Sequence, residues 1–594
     1  MLRRGGRKAY LLLDARLIIC PERTVYMKYN TKNIKRISAA LTALVLTVMT
    51  ATGCSSSNIG GDMTANPPTT QGAAETTADD GYIQAPETSS RSDAISAPSL
   101  SEDVVDDAPQ AVQAVEQEKC CPVINNDYTE GGSEEYNSYA ESSFKSALTE
   151  PLSTFSADVD TASYSNIRRM LTDYGYVDPD AVRIEEMLNY FDYEYVKPKN
   201  DLFSINAELS VCPWNSSAKL LLVGMQAKEI NDTEDINSNI VFLIDVSGSM
   251  FSDDKLPLVI DSFSMLTDNL TENDRISIVT YAGSDEVVLT GASGNDKKKI
   301  KKALESLEAG GSTAGAAGIN TAYELAEEYF IKGGNNRVIL ATDGDLNVGV
   351  SSESGLTELI EEKRESGVFL SVLGFGSGNL KDNKMEALAD NGNGNYSYID
   401  SLSEAKKVLV NEMDSTLYTV AKDVKFQVEF NPEFVREYRL VGYDNRVMAA
   451  EDFNDDTKDA GEIGSGHSVT ALYEIITVDE GSDIELKYQP EKNNPKKDIN
   501  GEWLTVSVRC KKPDSDSSEL YKYPVTSKLY KEKMPENLKF AAAVAEFGLL
   551  LKDSSYKGDA SYGELRELLD SCAITDEYRA EFTELVDIAA ESNR

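Results

Sequence analysis

One histidine, His467, serves all 594 residues, and basic residues number 58 against 100 acidic ones. The single histidine argues against His-ligated metal centres and against Ser-His-Asp catalysis. A net charge of -42 excludes nucleic acid as the default partner, because phosphate recognition needs a basic face. The seven cysteines form no framework: Cys120 and Cys121 are vicinal in a polar stretch, while Cys212, Cys510 and Cys572 are scattered. Cys212 and Cys510 both fall on strand-like runs, so a bridge between them stays open. No Walker A sequence appears, nor a Rossmann glycine pattern at a strand–helix turn. The S-x-x-K matches at Ser216–Lys219 and Ser403–Lys406 lack the companion K-T-G and S-D-N and read as surface spacing. DFNDDTKDAGEI has acids like a calcium loop but lacks Gly at the sixth position and Glu at the twelfth. The lysine run 297–302 reads as a solvated helix face, and His467 as a loop or strand-start residue.

What is present is an address at the amino terminus. From Met27, lysines and Arg36 precede an apolar run over 37–50 that is too short to span a bilayer comfortably. Ala51-Thr52-Gly53-Cys54 follows. Small residues before a cysteine resemble the lipobox of bacterial lipoproteins, and that resemblance implies that Cys54 carries a lipid and becomes the new amino terminus. The expected location is therefore the cell membrane, lipid-anchored on its extracytoplasmic face. Residues 1–26 fit no leader pattern, and Met27 is the better start. Beyond Cys54 the chain is rich in Ser, Thr, Ala, Pro, Asp and Gln, a composition that buries too little apolar surface to offset ordering entropy. It reads as a flexible spacer.

The folded part begins with two helical patterns, TFSADVDTASYSNIRRMLTDYG and DAVRIEEMLNYFDY, followed by two alternating strands within 202–229. The pattern then changes. NIVFLIDVS, RISIVTYA, NRVILATDG and VFLSVLGFG are continuously apolar strands alternating with amphipathic helices, which predicts a mostly parallel sheet covered on both faces. SLSEAKKVLVNEMDSTLYTV reads as the last helix of this domain. After residue 420 strands return (KDVKFQVEFNP, REYRLVGY, SVTALYEIITV, EWLTVSVRCKKP), as partners for those at 202–229. The expectation is an α/β domain inserted into a β-rich one. The boundaries are 1–53 for the leader, 54–150 for the disordered spacer, 151–235 for a helical and β flank, 236–420 for the α/β domain, 421–530 for the β-rich domain and 531–594 for helices.

Parallel sheets bind ligands outside the carboxyl ends of their strands. The runs VFLID and VILATD deliver Asp245 and Asp343 to that edge, Ser247 and Ser249 follow Asp245 in alternation, and Gly248 lets the loop bring both serines to one side. The Gly-rich loop EAGGSTAGAAGI places Thr313 just before a helix. Three hydroxyls and two carboxylates are an oxygen-only set, suited to a hard cation: Mg²⁺, with Mn²⁺ or Ca²⁺ possible in its place, not zinc. Few direct anionic donors leave the cation electrophilic, with one position for an incoming ligand carboxylate.

DVSGSM, the GGST loop and TDG, in this order, resemble the metal-ion-dependent adhesion site of von Willebrand factor type A domains. The resemblance implies that Ser247, Ser249 and Thr313 coordinate metal and that Asp245 and Asp343 act directly or through water. It also implies a Rossmann-like fold over 236–420 and a protein ligand offering an acidic residue. The flanks ADVDTASYSNIRRML, VRIEEMLNYFDY and DDTKDAGEIGSGHSVTALYEI resemble a bacterial subgroup of lipoproteins with this domain, which implies architecture rather than activity. Three functions follow as expectations. The first is a membrane-tethered protein that binds a partner through the metal, and is not an enzyme. The second is an assembly subunit whose metal only rigidifies loops. The third is a metal-dependent hydrolase, which would have no general base beside the metal except the aspartates already in use.

Overall fold

The computed structural model describes residues 134–592, apart from 158, 200, 231–235, 312–314, 345–352, 414, 416–417, 479–500, 514 and 516. The leader, Cys54, most of the spacer and Thr313 lie outside the described residues. Among those described, no helix is long and apolar enough to cross a membrane.

Sixteen strands are described. β1 (Lys145–Ser146), β2 (Leu152–Ser156), β3 (Phe203–Val211) and β4 (Lys219–Ala227) come first. β5 (Ser238–Asp245), β6 (Arg275–Tyr281), β7 (Asp285–Ser293), β8 (Asn335–Thr342), β9 (Phe369–Phe375) and β10 (Tyr396–Ile399) follow, interleaved with helices. The last are β11 (Thr419–Phe430), β12 (Val435–Val441), β13 (Gly461–Gly464), β14 (Ser468–Thr477), β15 (Glu502–Lys511) and β16 (Ser518–Thr526).

The middle set forms one sheet in the order β10-β9-β8-β5-β6-β7, parallel except for β7. β5 is buried along its whole length because it is covered on both sides. Ile240, Phe242 and Ile244 pack with Val259, Phe263 and Leu266 of the Leu256–Asn269 helix. Val241 and Leu243 point the other way, onto Ile319, Ala322 and Tyr323 of the Gly315–Glu328 helix. Continuous apolar character is what period-two alternation looks like when both faces are dry.

The outer strands form two antiparallel sheets, β1-β12-β14-β4-β3 and β13-β11-β15-β16, with β2 also pairing β11. They pack face to face through Leu221, Val223 and Met225 of β4 and Val424, Phe426 and Val428 of β11. The alternate β4 residues Leu220 and Leu222 face a helical layer. That layer is built from the Ala162–Tyr174, Ile184–Asn189, Glu536–Leu551 and Glu577–Ser592 helices. Its centre is aromatic, with Phe191 edge-on to Phe540 at 5.0 Å and to Phe582 at 5.5 Å. The β-rich domain is thus split by the α/β domain. The chain leaves and rejoins it at one place: Ile230 N–H donates to Ser465 Oγ at 2.8 Å, Ser465 N–H to the Tyr418 carbonyl at 2.8 Å, and Tyr418 Oη to the Ile236 carbonyl at 3.3 Å.

Several elements differ from their sequence expectation. Residues 134–150, taken from composition as spacer, lie on the folded body: Glu135 N–H bonds the Leu380 carbonyl at 2.9 Å, Ser142 N–H bonds Asp444 Oδ1 at 2.9 Å and Ala147 N–H bonds the Arg436 carbonyl at 3.0 Å. A polar segment is ordered here by backbone hydrogen bonds to distant parts of a finished fold, which composition does not register. The helix expected to run to about 420 is interrupted by a π turn at Lys407–Asn411, Met413 and Ser415 are again helical, and β11 starts at Thr419. β13 and β16 were not expected; β16 carries Pro524, which suits an edge strand. Cys212 and Cys510 are free thiols buried in different cores, Cys212 among the helices and Cys510 between the sheets.

Candidate metal-binding site

β5 and β8 are parallel neighbours, with Ile244 opposite Ala341. Asp245 therefore ends one strand beside the position where Asp343 follows the other, and both carboxylates are fully buried at the carboxyl edge of the sheet. Asp245 Oδ1 accepts the Ser247 N–H at 2.8 Å, and Oδ2 accepts the Thr342 hydroxyl at 3.1 Å. The chain then turns through a short 3₁₀ segment, Gly248–Phe251, which brings Ser247 Oγ and Ser249 Oγ to 3.0 Å from each other. The Gly-rich loop is stitched alongside: Gly248 N–H donates to the Gly311 carbonyl at 3.1 Å and Gly310 N–H to the Val246 carbonyl at 2.7 Å. Thr313 belongs to this loop but lies outside the described residues. Gly344 holds the other side, at φ +91°, where a Cβ would come 2.6 Å from the Lys381 backbone nitrogen.

The electrostatics of the two aspartates differ. Burial pushes the Asp245 carboxyl up to about 6 despite the hydrogen bonds from Ser247, and the neighbouring charge of Asp343 adds to the rise. Burial also acts on Asp343, yet Asn379, Lys255 and Ser249 together bring its carboxyl below the ordinary value. The Lys255 ammonium lies 3.0 Å from Asp343 Oδ2 and 2.7 Å from Asn379 Oδ1.

The donor set fits a hard divalent cation. Two adjacent ligands of an octahedral Mg²⁺ at about 2.1 Å lie about 3.0 Å apart, which is the Ser247–Ser249 oxygen separation. Two buried carboxylates on one side supply charge. Among the described residues no three His, Cys, Asp or Glu side chains converge to hold a metal, so the hydroxyls are essential to this reading.

Sequence reasoning brought Asp245, Ser247, Ser249 and Asp343 to one edge, and the structure places these four together. It missed Lys255 and Asn379. A signal for Lys255 was available: it caps the amino end of the Leu256–Asn269 helix, which has no acid in its first turn. A cation there opposes the helix dipole, and such local conflicts concentrate at functional sites. Also missed was a second charged cluster on the same edge. Arg168 bonds Asp400 at 2.6 and 2.7 Å and Glu404 at 2.8 Å. Arg183 bonds Asp382 at 2.5 and 3.2 Å and also pairs with Glu186. Asp400 follows β10, and Asp382 begins the helix after β9. The residues set aside as decoys stay ordinary: His467 occupies the turn between β13 and β14, its carbonyl accepting the Ala227 N–H at 2.9 Å.

Family models agree with this architecture. Family models match as "von Willebrand factor type A domain" over 239–412, "von Willebrand factor" over 130–222 and "Uncharacterized protein YfbK, C-terminal" over 415–591. The chain is 43% identical over 469 residues to the uncharacterized protein YfbK of Escherichia coli K12, covering 77% of this chain and 81% of that one. It is 29% identical over 195 residues to the uncharacterized protein sll0103 of Synechocystis, covering 32% and 44%. Among solved structures, a von Willebrand factor type A protein from Catenulispora acidiphila aligns over 68% of this chain and 89% of its own, at 16% identity and a TM-score of 0.38.

Proposed function

The chain belongs to the same family as YfbK of Escherichia coli and carries a von Willebrand factor type A domain, and from that premise we propose that it is a cell-envelope lipoprotein that binds a protein partner through a divalent cation. Domains of this type generally mediate protein–protein interaction. In this reading Ser247, Ser249 and Thr313 present neutral oxygens, while Asp245 and Asp343 hold the charge. Mg²⁺ is the favoured cation, with Mn²⁺ and Ca²⁺ as alternatives. When bound, the cation offers an electrophilic position to an acidic side chain of the partner. The chain's own residues prepare that position: the Ser247 N–H and the Thr342 hydroxyl fix both oxygens of Asp245, and Asn379 and Lys255 fix Asp343. The reading is capture rather than turnover, because both carboxylates near the hydroxyls are already engaged.

The observation that carries it is the pair of serine hydroxyls at 3.0 Å beside two buried carboxylates. Calorimetric titration of the chelator-stripped full chain with Mg²⁺ should show one site, lost in Asp245→Ala; no heat with Mg²⁺, Mn²⁺ or Ca²⁺ would sink the reading. A metal that raises the melting temperature without altering capture of any acidic ligand would instead make the site a loop stabiliser. The anchor is tested separately, by incorporation of a labelled fatty acid into the native chain but not into Cys54→Ala.

A further inference from the structure

We propose that Lys255 is a positioning residue that sets the charge of the metal site, tuning it to take an anionic ligand at the expense of metal affinity. The inference rests on the cation-binding reading above. Among the described residues, Asp245, Asp343 and the Lys255 ammonium together carry a single negative charge. A divalent cation then turns this group into one with a single positive charge, which a carboxylate ligand neutralises. Without the lysine, the loaded site would already be neutral and would have little further demand for an anion.

The geometry holds the ammonium in place beside the site. Lys255 is 5% exposed, where lysines ordinarily keep their heads in water. Its ammonium is held at both ends of its reach, by Asp343 Oδ2 at 3.0 Å and Asn379 Oδ1 at 2.7 Å. Its stem runs over Gly376, at φ +75°, where a Cβ would overlap the lysine's methylenes. The path along which the side chain lies is therefore open only because residue 376 is glycine. A lysine whose only task was packing would not be aimed at a carboxylate already short of room for charge, and it begins its helix against the dipole. Asp343 has a cation beside it, whereas the Ser247 N–H and the Thr342 hydroxyl that donate to Asp245 are neutral.

The test uses the full chain, with Lys255→Met and Lys255→Gln as neutral variants and Lys255→Arg as the charged one. Removing one positive charge beside an incoming divalent cation should tighten Mg²⁺ and Mn²⁺ binding about tenfold or more, read by calorimetry. Weak capture of acetate by the Mn²⁺-loaded chain, read by water-proton relaxation, should fall by a similar factor. Lys255→Arg should keep both constants near the native ones. A purely structural lysine predicts the opposite sign, with metal binding weakened. Unchanged or weaker metal binding in the neutral variants, an arginine variant that behaves like them, or neutral chains that do not fold would each overturn the assignment. If the native chain binds no metal at all, the parent reading fails along with it, a result distinct from native binding that Lys255→Met leaves unaltered.

Discussion

The carboxyl edge of the α/β sheet ends in two clusters of acids, buried or nearly so, and they have opposite fates. At the β9/β10 half, Asp382 and Asp400 are taken by Arg183 and Arg168, guanidinium forks delivered by the chain's own amino-terminal flank. At the β5/β8 half, the Ser247 amide and the Thr342 hydroxyl donate to Asp245, and Asp343 shares one ammonium with an asparagine. Burial of charge is common to both. Among the described residues, what separates the two halves is the supply of cationic partners: guanidinium forks clasp one shut, while a single ammonium pairs with an acid of the other.

The strongest way to break this contrast is to open the clasp. Arg183→Met strands Asp382 and Glu186 without their cation and should cost about 3–5 kcal/mol in denaturant unfolding. A loss under about 1 kcal/mol would mean the clasp matters no more than a surface pair.

A further carboxyl sharpens the rule in a place with no proposed ligand. Burial pushes Glu546, in the carboxyl-terminal helical core, up to about 7, and the charge of Glu564 adds to the rise. The folded state therefore holds this proton where the unfolded chain, near 4.5, has released it. Stability should fall as pH rises between those values, by on the order of 3 kcal/mol from this group, and Glu546→Gln should flatten that slope. An unaltered slope in the variant would locate the pH dependence elsewhere.

At the under-supplied half, metal should act as the missing cation. At a hundredfold excess over its Kd, Mg²⁺ should raise stability by about 2.7 kcal/mol, and Asp343→Asn should remove most of that gain while leaving the clasp intact. A gain that persists in Asp343→Asn and Asp245→Ala would place the metal at another site. The smallest effect is expected where charge is neither buried nor scarce. Lys197 and Glu229 pair on the surface, both more than half exposed, and Lys197→Ala should change stability by no more than about 0.5 kcal/mol.

The same contrast explains what was legible in the sequence. Asp245, Ser247, Ser249 and Asp343 could be read because each is attached to a strand whose apolar run fixes where it ends; local pattern and parallel-sheet geometry suffice. The inserted arrangement was legible for a similar reason, since the period changed twice along the chain. Arg168 and Arg183 were not. Their partners lie 232 and 199 residues away, and in their own stretches, Arg168 within a helix and Arg183 just before one, they look like any arginine on a polar face. Lys255 was hidden because it opens the run KLPLVIDSFSMLTDNL, which reads as an ordinary amphipathic helix, while its partners Asp343 and Asn379 are distant in sequence. Glu135, Ser142 and Ala147 were read as spacer because what orders them is supplied by other segments.

The α/β domain leaves and rejoins the sandwich where Ile230, Ser465, Tyr418 and Ile236 are linked by hydrogen bonds. In modular terms, the domain is a cassette and the sandwich its socket. Replacing the cassette by a few residues asks the host to close only a short loop, and loop-closure entropy grows slowly with length. The clasp is what such an exchange would sacrifice: a foreign cassette fits the socket's opening but arrives without the acids that Arg168 and Arg183 are built to meet.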